Sequence, residues 1–425
     1  HTSDQHPWFK KARKSKAGSR YRDFYVWREA PNKYKEARII FPSEETSNWA
    51  YDDEARAYYW HRYYHHQPDL NYENPEVQLE MIKVADFWLK MGVDGFRLPS
   101  VTFLFEEEGT DCENLPQTHA FLKKLRAHID KHYKNRILIA EANLWPEDAA
   151  TYFGEGQECH MNFNYPLMPR LFLALRTEDS YPIIDIIDQT PSTPVTNQWA
   201  LFLRNHDELG LEMVSEEEKD YLFKAYATES NTKINVGIRR RLAPLMTNDR
   251  RKIELLHTLL FSLPGTPVLF YGEEIGMAEN LDVAGRFAVR TPMQWTDEEN
   301  GGFSSAPKRR LPRPLPDGLY GPDRVNVADQ RHDHRSFWWF IRDLIYTYRQ
   351  QPEIGWSTPE ILKQPHRAVL AHVCRETSGW AMVALHNFGS QSCIVPVQLE
   401  DASPGCTLVD LLDGLTEHPL DDNGR

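Results

Sequence analysis

The chain has 425 residues, 41% hydrophobic and 12% aromatic, enough to bury a large core in one big domain with one or two smaller ones. Its formal net charge of -13 repels phosphate backbones and anionic membranes, so neither nucleic acid nor a membrane is expected as partner, and no run nears the roughly 18 apolar residues of a membrane span. The five cysteines (Cys112, Cys159, Cys374, Cys393, Cys406) are widely spaced without a C-x-x-C pair, which indicates neither a disulfide framework nor a zinc site and fits a cytoplasmic location.

The chain opens on His1 rather than methionine, and HTSDQHPWF reads as the end of a barrel strand running into a loop, hence as a trimmed start. Residues 1–74 are charged and aromatic without sustained periodicity, which predicts a long inserted segment with a few short strands. At Asn74-Pro75 a helix is expected to begin, asparagine as cap and proline in the first turn. Val77, Met81, Val84, Ala85 and Trp88 form its predicted buried face, and Gly92 its end. Short apolar strands over 93–98, 137–142, 199–203 and 267–271 then alternate with helices near 117–133, 166–176, 251–263 and 335–349. That order is the signature of a parallel α/β barrel with helices outside, and chemistry in such barrels sits where strands end. After about residue 352 the helical pattern stops, and 367–374 and 380–388 read as strands of a small β domain ending at 421–425 without a closing strand.

Three strand ends are polar. One carries Val93-Asp94-Gly95-Phe96-Arg97-Leu98-Pro99, the next Leu138-Ile139-Ala140-Glu141-Ala142-Asn143, and a later one Leu203-Arg204-Asn205-His206-Asp207-Glu208. Glu141 lies at the end of an apolar strand, where a carboxyl group is placed for general acid/base work; a solvated carboxylate is the plain alternative. His206 and Asp207 read either as a functional pair or as a structural loop pair. Arg97 alternates onto an inward face, so a buried cation there implies a carboxylate partner. Gln67 and Arg290 have exposed-loop readings beside substrate contact.

These segments resemble the second, third and fourth signature regions of the α-amylase superfamily, with His1 in place of the histidine closing the first and Gln67-Pro68-Asp69-Leu70-Asn71 similar to the fifth. Cys112-Glu113-Asn114-Leu115-Pro116, Glu158-Cys159-His160-Met161 and Arg290-Thr291-Pro292-Met293-Gln294-Trp295 resemble the trehalose synthases within it. The resemblance implies a (β/α)8 TIM barrel, N-terminally incomplete here, with domain B at 1–74, the rest of the catalytic barrel at 75–351 and a C-terminal antiparallel β domain at 352–425. It implies conversion of maltose to trehalose by a retaining double displacement, with Glu141 as acid/base, Asp207 as transition-state stabiliser, and His1, Gln67, Arg97, His206 and Arg290 holding substrate. It further implies docking with maltokinase, leaves a homo-oligomer open, and calls for no organic cofactor.

Two positions depart from that pattern. The nucleophilic aspartate belongs at residue 99, which is proline, with no oxygen to offer and no backbone N–H. Asp94 lies five residues back on the other strand face, roughly 16 Å away, and Ser100 is a weak nucleophile facing the wrong way. Turnover is therefore expected to fall by several powers of ten. The calcium ion the resemblance implies would keep the carbonyls of Phe103 and Leu104 and the side chain of Glu106, but Ser43 takes an aspartate's place, so affinity should be weak unless Glu44 or Glu45 moves in. The alternatives are an α-glucosidase on short oligosaccharides and a non-catalytic protein that holds maltose or docks a partner.

Overall fold

The computed structural model describes residues 1–375, 379–399, 406–414 and 416–420, so residues 421–425 lie outside it. Two compact units appear, His1–Phe163 with Thr193–Asn197, and Asn164–Ser192 with Gln198–Arg425.

The first unit starts with helix α1 (Pro7–Lys14) and an antiparallel sheet, β1 (Trp27–Arg28), β2 (Trp49–Asp52) and β3 (Ala57–Trp60), with β3 in the middle. The helix was not foreseen; its apolar residues are few, and it is held by burying Phe9 and Ala12 in the unit's core. Helix α2 (Pro75–Met91) begins and ends as its caps require. The Asn74 side chain accepts from the Glu76 N–H, and Gly92 closes the helix at φ 102°, a left-handed conformation that only glycine adopts freely.

The buried face of α2 differs from the expected one. Val77, Ile82, Ala85 and Leu89 are buried, whereas Val84 and Trp88 are exposed together with Leu79, Phe87 and Met91. Both stripes are apolar at helical spacing, so periodicity alone could not choose between them.

Strand β4 (Gly95–Leu98) follows, then helix α3 (Pro116–His132), strand β5 (Ile137–Ala140), helix α4 (Pro146–Ala150) and strand β6 (Met161–Phe163). β4, β5 and β6 run parallel, with Leu98 opposite Ala140 and Ala140 opposite Asn162, so their C-terminal ends lie side by side. β4 and β5 are each two residues shorter than expected, and β6 was not foreseen.

The second unit contains helices α5 (Leu167–Thr177) and α6 (Tyr181–Asp188), strands β7 (Gln198–Phe202) and β8 (Leu209–Gly210), helix α7 (Glu216–Tyr226), strands β9 (Lys233–Ile234) and β10 (Gly237–Ile238), helices α8 (Leu242–Leu245) and α9 (Arg250–Ser262), and strand β11 (Thr266–Val268). β11 pairs in parallel with β7, as a βαβ unit demands. Helices α10 (Val327–His332), α11 (Phe337–Arg349) and α12 (Pro352–Trp356) lead to an antiparallel sheet of β12 (Glu360–Ile361), β13 (Val369–Arg375) and β14 (Ala381–Asn387), and to the hairpin of β15 (Thr407–Val409) and β16 (Glu417–Pro419). No helix among the described residues is long and apolar enough to cross a membrane.

Candidate active site

In the first unit the parallel register of β4 and β5 sets their two polar ends beside each other. Glu141 lies one residue past β5, and its Oε2 accepts from Arg97 Nη2 at 2.5 Å. The carboxylate partner expected for Arg97 is thus Glu141, although Arg97 is exposed rather than buried, its side chain 38% accessible. His1, Arg97 and Pro99 line one cavity of about 310 Å³, whose deeper wall is apolar and includes Met81, Phe121 and Leu125. The His1 ring packs against Tyr63, centroids 5.6 Å apart. β4 stops at Leu98, before the proline that could not donate to a ladder, and Ser100 turns through a left-handed φ of 62°. Gln67 sits in a turn, its N–H on the Tyr64 carbonyl, and is not part of the cavity wall.

The expected cation cradle is also in this unit. Glu106 Oε1 is shut off from solvent and has no hydrogen-bond partner among the described residues, and burial, with Asp69 close by, pushes the Glu106 carboxyl well above the usual carboxylate range. Burial raises Asp69 too, although its carboxylate accepts from the Arg62 N–H at 2.9 Å. Two crowded, desolvated carboxyl groups suit a hard cation. Asp69 was not among the sequence candidates for this role; it lies inside the Gln67–Asn71 motif, where it was read as part of a sugar-binding signature. Glu45, offered as a substitute ligand, instead accepts from the His65 N–H at 3.0 Å. Among the described residues no group of three or more His, Cys, Asp or Glu could hold a metal, so a cation here would lean on carbonyls such as those of Phe103 and Leu104.

In the second unit Asp207 is the centre of charge. Arg290 Nη2 meets its Oδ1 at 2.5 Å, Arg286 Nη1 its Oδ2 at 3.1 Å, and His206 Nε2 stands 3.5 Å from Oδ2. Burial alone would raise this carboxyl, but Arg286 above all, then His206 and Arg290, hold it below the usual range, so Asp207 is an anion at any ordinary pH. The loop is fixed from behind. Arg290 Nε donates to the His206 carbonyl at 2.7 Å, buried Arg204 donates to the Asp207 carbonyl at 2.6 Å, and Asn205 Oδ1 accepts from the Asp207 N–H at 2.9 Å. Arg286 also reaches Glu208 Oε1 at 2.9 Å, which Asn235 shares at 3.0 Å. His206, Asp207 and Arg290 are therefore brought together as expected. Arg286 and Arg204 were missed, although two adjacent carboxylates leaving water, Asp207 and Glu208, need more than one cation.

Residues 1–357 match the family model described as the alpha amylase catalytic domain. The chain is 52% identical over 375 residues to a trehalose synthase/amylase of Mycobacterium tuberculosis, covering 85% of this chain and 62% of that protein. It is 49% identical over 389 residues to a trehalose synthase of Pimelobacter sp., covering 89% of this chain and 68% of the relative. Among solved structures, the alpha-amylase from H. orenii superposes with a TM-score of 0.72 at 25% identity, over 96% of this chain and 72% of that one. The chain thus spans somewhat under two thirds of the length of the mycobacterial relative.

Proposed function

Because the chain belongs to the α-amylase family and, within it, groups with the trehalose synthases, sharing their (β/α)8-type fold with a C-terminal antiparallel sheet, we propose that it derives from a glucosyl isomerase converting maltose to trehalose, with its turnover impaired by Pro99. The observation that carries this reading is the placing of Glu141 one residue past β5, ion-paired with Arg97 from the end of β4, in a chain that keeps Asp207 as a clamped anion. In the retaining mechanism, a carboxylate at position 99 would attack the anomeric carbon of the non-reducing glucose while Glu141 gives its proton to the departing oxygen. The freed glucose then turns over, Glu141 takes the proton of its anomeric hydroxyl, and that oxygen displaces the carboxylate to form trehalose. Asp207 stabilises the positive charge on the ring in both steps, and His1, Gln67, Arg97, His206 and Arg290 hold the sugars.

Proline supplies no atom for the first bond. That absence lowers turnover. Pro99 also favours a second reading, a protein that holds maltose without converting it. An α-glucosidase on short oligosaccharides would share much of the same machinery.

The division into an inserted segment at 1–74, the barrel residues 75–351 and a β domain from 352 belongs to the same proposal, as do a cytoplasmic setting and docking to a maltokinase. Glu106, with the carbonyls of Phe103 and Leu104 and with Asp69 beside it, would hold a calcium ion weakly. Such an ion would neutralise the two carboxylates and stiffen their loop. Product analysis after long incubation with maltose, paired with calorimetry, tests the reading. Traces of trehalose support the isomerase, glucose alone supports the glucosidase, and heat of binding without product supports the binding protein. Neither binding nor product would sink all three.

A further inference from the structure

A second cavity, of about 400 Å³, lies in the second unit and is lined by Tyr271, Glu274, Arg290, Trp295, Phe303 and Arg313 among others. Its three aromatic rings are between 41% and 49% exposed; Tyr271 packs against Phe270 and Arg241, whereas Trp295 and Phe303 meet no other ring among the described residues. Arg290 and Arg313 approach the same ring, that of Phe287, at 5.2 and 4.2 Å from its centroid. Arg290 is committed to Asp207, whereas Arg313 has no carboxylate partner among the described residues. Immediately upstream, Lys308, Arg309 and Arg310 are exposed on one short turn, and among the described residues none of them has an ion pair either. Four uncompensated cations within six residues stand out in a chain whose net charge is -13.

We propose that this cavity is a binding site for the phosphate monoester of a small sugar, the sugar ring stacked on Trp295 and Phe303 and the phosphate held by Arg313. An exposed aromatic platform supplies affinity for a sugar's apolar face, and a planar guanidinium that stacks on Phe287 but has no carboxylate partner among the described residues is suited to bidentate phosphate contact. The basic turn 308–310 adds attraction on approach, most effective at low salt. Glu274 is the one acidic group in the wall, and burial raises its carboxyl, which reduces the charge it sets against an anion. The cavity shares Arg290 with the residues proposed to hold the substrate, and that side chain is already paired with Asp207.

The test is calorimetric titration of the full chain with glucose 1-phosphate, glucose and inorganic phosphate. Glucose 1-phosphate should bind at least about tenfold more tightly than either of the others, a difference of about 1.4 kcal/mol, and should weaken as salt rises. Arg313→Gln should loosen it about tenfold. Trp295→Ala should bring its affinity to that of inorganic phosphate. Equal affinity for glucose and glucose 1-phosphate, or an Arg313→Gln variant that binds as the parent does, would overturn the proposal, and so would inorganic phosphate binding as tightly as the ester. Should Trp295→Ala lose its circular dichroism signature, Arg313→Gln alone still decides, because it alters only a half-exposed charge.

Discussion

Pro99 stands where the resemblance places a nucleophile, beside an Arg97 guanidinium that faces Glu141. Asp207 illustrates a carboxylate clamped by two arginines, Arg286 and Arg290, with His206 beside it. Its depressed pKa contributes stability above the unfolded carboxylate value of about 3.8, lost as pH falls below it through the folded pKa. Arg286→Gln, which leaves Asp207 and Glu208 short of a cation, should therefore cost about 3 kcal/mol near neutral pH, with the difference narrowing below about pH 3.8; urea unfolding at pH 7 and pH 3 measures it. At this scale the sequence was informative for groups that sit in motifs. Arg97, Glu141, His206 and Asp207 were legible from strand ends, and the need of Arg97 for a carboxylate followed from alternation alone. Arg286 and Asp69 were not, because their roles come from charge brought close by folding rather than from any local pattern.

Helix α2 shows how far element-level reading goes. Its boundaries were legible because each cap is a one-residue chemical requirement, the Asn74 oxygen for a free N–H and Gly92 for a left-handed φ. Asn74→Ala should lower stability by about 1 kcal/mol, read as a shift of the urea midpoint at constant slope. The buried face was misread because both sides of the helix are apolar. That ambiguity has a physical cost, since Val84, Phe87, Trp88 and Met91 at i, i+3, i+4 and i+7 make an exposed apolar stripe. Phe87→Lys with Trp88→Glu should reduce self-association in light scattering without lowering the melting temperature. A melting temperature lower by several degrees would mean that these side chains are buried in solution. The strands β8, β9 and β10 have two residues each, too short for a period to show in sequence, and helices α6 and α7 were not foreseen.

Over the whole molecule, acid sensitivity should be set by buried histidines as well as by ion pairs. His257 and His386 are both buried, and burial pushes them down from 6.5 to about 4 and about 3. A depressed histidine leaves stability intact above 6.5. As pH falls toward the folded value the unfolded chain takes up the proton first, and stability is lost. For His257 the loss between pH 6.5 and 4 is roughly 3 kcal/mol. His257 Nδ1 bonds the Ile253 carbonyl at 2.8 Å and Nε2 has no hydrogen-bond partner among the described residues, so His257→Leu should flatten this acid limb in a series of urea titrations from pH 7 to 4. The architecture was legible in outline because strand and helix periods alternate down the chain; the fine arrangement of charge was not.

The account turns on residue 99, and proton NMR of the anomeric region, recorded on maltose incubated with the chain and with its Pro99→Asp variant in calcium-containing buffer, tests it most directly. The account predicts trehalose from the variant at a rate several powers of ten above that of the parent chain. Equal trehalose formation by both proteins, or none from a folded variant that still binds maltose, would contradict it.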